Sequence, residues 1–88
     1  MKLSKIRTEI DKIDDETAKL FERRLELVAE IANIKAAQGV PILNVTREDE
    51  IINRLTINKD EDLSAYIKML YKSIFNISRE YQHKLMQK

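Results

Sequence analysis

From Leu3 onward, apolar side chains recur at alternating steps of three and four: Leu3, Ile6, Ile10, Ile13, Leu20, Leu27, Ile31 and Ile34. Thr17, Arg24 and Gln38 stand in the same register. That spacing holds one stripe on one face of a helix, and five repeats of it make a heptad seam. Nothing breaks the seam until Gly39, Val40 and Pro41, where glycine readily ends a helix and proline cannot continue one. The pattern predicts a first helix over residues 3–38. Thr46 with Asp49 three residues on reads as a capping box, and Ile51, Ile52 and Leu55 share a face, so a short second helix is expected over 46–56. Residues 58–62 offer polar caps for a third helix, 60–86, whose seam is Leu63, Ile67, Leu70, Ile74, Ile77, Tyr81 and Leu85. No strand alternation, internal repeat or low-complexity segment interrupts this order. The expected fold is all-α, with long, short and long helices in a single domain over 1–88.

The length of the first helix changes the picture. At the usual rise it would measure on the order of 50 Å, whereas a compact chain of this size has a radius of gyration of about 12 Å. Its projecting end would leave seam residues in water unless a second copy packed along it. An intertwined helical homodimer is therefore expected.

Composition agrees with helices: one glycine, one proline and five aromatics with no tryptophan leave an aliphatic, helix-favouring chain. Sixteen basic and fifteen acidic residues give a formal charge of +1, so no overall field favours nucleic acid or anionic membrane, and neither is expected as a partner. The absence of cysteine excludes disulfides, thiolate chemistry and Cys-based zinc sites. The charged start, Met1-Lys2-Leu3-Ser4-Lys5-Ile6-Arg7, lacks the apolar run of a signal peptide. The longest uncharged stretch, 36–45, is about half the ~20 residues of a spanning helix. A soluble, unprocessed, cytoplasmic chain is expected.

Several residues break the apolar pattern. Arg24 sits in the middle of the first seam, where a guanidinium either snorkels to solvent, pairs with a glutamate or serves a ligand. Lys35 follows eleven residues later, close to three whole turns, so the two cations share a face about 16 Å apart and their long side chains can converge on one anion. Taken alone, Lys35 reads as a cation favoured near a helix carboxyl end. Arg7 lies seventeen residues before Arg24, about 25 Å along the axis, and reads alone as a solvated charge; it can approach the pair only from an antiparallel partner helix. In the third helix Tyr71, Phe75, Ser78 and Gln82 form a row beside the seam. Ser78 and Gln82 read as ordinary surface-edge polar groups, or as neutral donors for a polar ligand. Glu48, three and four residues before Ile51 and Ile52, can face the interior or simply favour the helix dipole beside Arg47. His83 has no triad partner and no second histidine for a metal, so it is assigned to the surface and no metal site is expected.

As an ordered set on this helical frame, Arg7, Arg24, Lys35, Arg47-Glu48, Ser78 and Gln82 resemble the all-helical, type II chorismate mutases. The resemblance covers nearly the whole chain. Its strongest stretches run from Ile6-Arg7 to Ile13-Asp14, from Arg23-Arg24 through Lys35, from Pro41 to Thr46-Arg47-Glu48, and from Ile74 through Ser78 to Gln82.

It implies an isomerase that converts chorismate to prephenate by an intramolecular Claisen rearrangement, on the route to phenylalanine and tyrosine, with neither cofactor nor metal. It further implies that Arg24, and Arg7 from the other subunit, bind the two substrate carboxylates, with Ser78 beside one of them. Lys35 and Gln82 would donate to the ether oxygen and Glu48 would hold the ring hydroxyl, with the Arg47 backbone nearby. The implied catalytic set is thus Lys35, Gln82 and Glu48, within a substrate-binding set that adds Arg7, Arg24, Asn44, Arg47 and Ser78. Asn44 departs from the pattern, since an aspartate often stands there in the better-known bacterial members. Only six residues follow Gln82, which leaves no expectation of an appended regulatory domain in this sequence. Two other readings stay open: an isochorismate pyruvate lyase on the same frame, and a noncatalytic helical pairing module for which the seams alone suffice.

Overall fold

The computed structural model describes residues 2–87, which form three helices: α1 (Lys2–Gln38), α2 (Val45–Thr56) and α3 (Glu61–Met86). No strand occurs among the described residues. The long, short, long order and all-helical class are as the sequence pattern predicts.

Each boundary has a local cause. At the end of α1, Gly39 adopts φ +67°, its N–H donates to the Ala36 carbonyl at 3.4 Å, and the Val40 N–H donates to the Lys35 carbonyl at 2.9 Å. This double closure over a left-handed glycine is the Schellman arrangement, which satisfies carbonyls that a helix end otherwise orphans. A Cβ on Gly39 would meet nothing within 4 Å, so the backbone conformation, not space, calls for glycine.

The start of α2 corrects the expected capping box. Asn44, not Thr46, is the N-cap: its side chain accepts the Arg47 N–H at 3.0 Å and α2 begins at Val45. Thr46 lies inside the first turn, already helical, so the Asn44 side chain, at the non-helical position before Val45, takes the third N–H from the cap. At α3, Asp60 accepts the Leu63 N–H at 2.8 Å, with Glu61 and Asp62 in the first turn and His83 and Lys84 in the last, all on the favourable side of the helix dipole. Removing that cap in Asp60→Ala is expected to lower stability by about 1 kcal/mol, read as an earlier urea midpoint with an unchanged m-value.

The fully buried residues of the two long helices lie beside the predicted seams and not on them. In α1 the buried residues are Val28 and Ala32, with Phe21, Arg24, Leu25 and Lys35 half-buried beside them. In α3 they are Phe75, Ser78 and Gln82. Ile51 of α2 and Ile42 of the connecting segment complete the core. α3 is the element on which both α1 and α2 pack.

The predicted α1 seam stays uncovered: Ile6 is 55%, Ile13 61% and Leu20 71% exposed. Thr17 tolerates its seam position by donating its hydroxyl to the Ile13 carbonyl at 2.7 Å. The molecule measures 55 × 29 × 14 Å with a radius of gyration of 16.2 Å, well beyond the roughly 12 Å of a compact chain of this length. No helix is long and apolar enough to cross a membrane among the described residues.

Candidate active site

A groove of about 290 Å³ opens where the carboxyl half of α1, the 39–44 segment, the start of α2 and the middle of α3 meet. Seven of the eight residues singled out from the sequence line it: Arg24 and Lys35 from α1, Asn44, Arg47 and Glu48 around the start of α2, and Ser78 and Gln82 from α3. Arg7 does not. It lies on the exposed amino-terminal half of α1, outside the groove of its own chain.

Arg24 is neither snorkelled nor paired with a glutamate. Its Nη1 donates to Ser78 Oγ at 2.8 Å, and its Cζ stands 5.9 Å from the centroid of the Phe75 ring. A neutral hydroxyl and an aromatic face orient the guanidinium without neutralising it. Lys35 is held from both ends. Its carbonyl accepts the Val40 N–H in the helix terminus, and its Nζ donates to the Ile42 carbonyl at 2.8 Å, which uses one of three ammonium donors. The 39–44 segment therefore folds around the lysine. Neither cation has a carboxylate within 4.0 Å among the described residues. Two cations on one apolar wall without counter-ions favour an anion.

Ser78 and Gln82 are not surface-edge groups: they are 5% and 6% exposed, and both face the groove. The seam does not reveal this, because its residues are at most half-buried and the fully buried row of α3 lies beside it. Gln82 Nε2 reaches the Ser78 carbonyl at 3.4 Å and keeps a second hydrogen, while Oε1 is buried without a hydrogen-bond partner among the described residues. Buried amide groups are ordinarily satisfied, so this unpaired oxygen marks a wall built for polar contact.

Around α2, the Arg47 N–H is occupied by the Asn44 cap, and its side chain makes an exposed pair with Glu50 at 3.7 Å. Glu48 turns inward and accepts from Arg79 of α3. Arg79 lines the groove and was not anticipated from the sequence. Its signal was present: Phe75, Ser78, Arg79 and Gln82 stand at the i, i+3, i+4 and i+7 positions of one helix face. His83 is exposed in the last turn of α3.

The groove is lined by oriented cationic and amide donors and set on an all-helical three-element frame. The type II chorismate mutase family matches residues 6–83, and the chain belongs to that family, an isomerase family. Its relatives include the bifunctional chorismate mutase/prephenate dehydratase of Buchnera aphidicola subsp. Schizaphis graminum, 34% identical over 98% of this chain and 23% of the relative. The chorismate mutase of Methanocaldococcus jannaschii is 41% identical over 61% of this chain and 54% of its own length. The T-protein of Haemophilus influenzae is 44% identical over 52% of this chain and 12% of its own. The chain thus spans about half or less of the length of these curated relatives. No solved structure matches it significantly.

Proposed function

We propose that this domain isomerises chorismate to prephenate, as a homodimer with two shared active sites and without a cofactor. The observation that carries the reading is the convergence of Arg24, Lys35 and the buried Gln82 on one groove in a member of the type II family. The substrate is a dianion. Its ether C–O bond breaks as a C–C bond forms between the enolpyruvyl methylene and the ring, so no atom is gained or lost and no nucleophile is needed. What a protein supplies is the folded, near-attack shape and stabilisation of the charge that grows on the ether oxygen.

Arginine forks fix a carboxylate in direction as well as charge, which suits Arg24 for one substrate carboxylate, with Ser78 beside it. Lys35 and Gln82 both retain unused hydrogens at the groove and would donate to the ether oxygen. Glu48 would accept the ring hydroxyl. Asn44 and Arg47 would shape that end chiefly through the capped turn, because the Arg47 N–H already has its partner.

The second carboxylate falls to Arg7 of a partner subunit. Leu27 and Ile31, seam residues 42% and 46% exposed, also line the groove, so a helix laid along the α1 seam would pass its mouth. Each Leu or Ile that such a partner fully covers contributes about 1.5–3 kcal/mol, enough in sum to favour association. The prephenate dehydratase named with chorismate mutase in a relative supports a step on the route to phenylalanine and tyrosine, and the reading puts that step in the cytoplasm.

Incubation with chorismate and, separately, isochorismate tests the reading. Loss of chorismate absorbance with prephenate as product is the expected result. Salicylate and pyruvate from isochorismate, without prephenate from chorismate, would establish a lyase instead, and no turnover of either would leave a pairing module.

A further inference from the structure

Arg79 is half-buried in the middle of α3 and grips two partners with its fork: one Nη donates to Glu48 Oε2, the other to Asn76 Oδ1. Asn76 is one turn earlier on the same helix, so it steadies the guanidinium from its own element. Glu48 belongs to the first turn of α2. Arg79–Glu48 is the one ion pair between helices among the described residues, the other two being exposed pairs three residues apart within α1 and α2.

The pair also divides two spaces. Glu48, Phe75 and Arg79 line both the main groove and a second pocket of about 200 Å³, whose remaining walls include Lys72. A glutamate at such a boundary has enough rotatable bonds to swing either way, and Lys72 offers its carboxylate an alternative cation. Arg79 binds Oε2 alone, and Oε1 makes no hydrogen bond among the described residues. The carboxylate is thereby fixed by one oxygen with the other free to accept.

We propose that Arg79 is a positioning residue: it holds Glu48 against the groove wall so that Oε1 accepts the ring hydroxyl of the substrate. The proposal rests on the chorismate-isomerase reading. Arg79 does not touch substrate, so its whole effect passes through Glu48. A direct contact between Arg79 and a substrate carboxylate is the competing arrangement, and it predicts a different pattern of coupling.

The decisive experiment is a double-mutant cycle on kcat/KM for chorismate, using Arg79→Met, Glu48→Ala and the double variant. The expected loss for Arg79→Met is about tenfold in the unaltered background, the scale of a misplaced binding group, and no more than about twofold once Glu48 is alanine. Full additivity of the two losses overturns the proposal, because Arg79 would then act independently of Glu48. So does unaltered activity of Arg79→Met. A merely structural role would lower the melting temperature without this coupling. If Arg79→Met fails to fold, Arg79→Lys keeps the charge and the aliphatic stem and passes through the same cycle.

Guanidinium nitrogen NMR adds a readout independent of turnover. Slowed rotation of the Arg79 group in the unaltered protein and faster rotation in Glu48→Ala, where only the Asn76 contact remains, is expected; equal rotation in both overturns the pairing. Failure of the underlying reading looks different, since the unaltered protein would then not consume chorismate at all.

Discussion

Lys35→Ala is expected to lower the turnover of chorismate by about two to three orders of magnitude, the typical effect of losing an oriented donor at a developing oxyanion. The size of that effect must be separated from damage to the fold, because the same side chain anchors the 39–44 segment through the Ile42 carbonyl at 2.8 Å. Losing a hydrogen bond with a charged donor changes stability by about 1.5–3 kcal/mol, close to the rise of about 2.7–4 kcal/mol expected in the barrier, so both must be measured. The helix terminus itself survives the substitution, because Val40 donates to the Lys35 backbone carbonyl, which alanine retains. Chemical unfolding and single-turnover kinetics on the same preparation therefore divide the two roles. A variant with full turnover and a lower unfolding midpoint would make Lys35 a structural clamp only, and the proposed charge stabilisation would fall.

The contrast between Lys35 and Ser78 shows which parts of the site were readable in the sequence. Helix ends were legible because their causes are local: a left-handed glycine before a proline, and an aspartate followed by helix formers. The eleven-residue spacing of Arg24 and Lys35 was legible because helix geometry is fixed. The position of Ser78 and Gln82 was not. Periodicity detects the strongest apolar stripe; on α1 the chain leaves that stripe exposed and on α3 it covers it only in part, while Phe75, Ser78 and Gln82 are buried in the quieter row. Which faces meet is decided by long-range packing. A seam arginine needs a neighbour that orients it, and Ser78 meets that need only once α1 and α3 are docked. The Thr46 capping box failed for a smaller reason: the helix begins one residue earlier, at Val45, and the cap falls to Asn44, whose amide oxygen accepts the Arg47 N–H. Arg79, a charge next to a polar row, reads as solvated until a carboxylate from another helix is placed against it.

Arg7 supplies the sharpest test of shared sites. It lies outside the groove of its own chain, about 25 Å along the helix from Arg24, too far for one small dianion to touch both. Arg7→Ala and Arg24→Ala are each expected to be nearly inactive, because each removes the partner of one substrate carboxylate from every site of a homodimer. If the chains exchange, a mixed dimer behaves differently. One of its sites combines the intact Arg24 of the first variant with the intact Arg7 of the second, and its other site lacks both arginines. Random reassociation of equal amounts puts about half of all dimers in the mixed form, each with one intact site, so about a quarter of the unaltered activity should return. The yield of mixed dimers is checked by tagging the two chains differently. Should Arg7 instead serve its own chain, or contribute nothing to the site, a verified mixed dimer would show no more activity than the mean of its parents. Recovery near one quarter would tie the exposed α1 seam and the incomplete groove to a single cause, a partner helix that covers the first while completing the second.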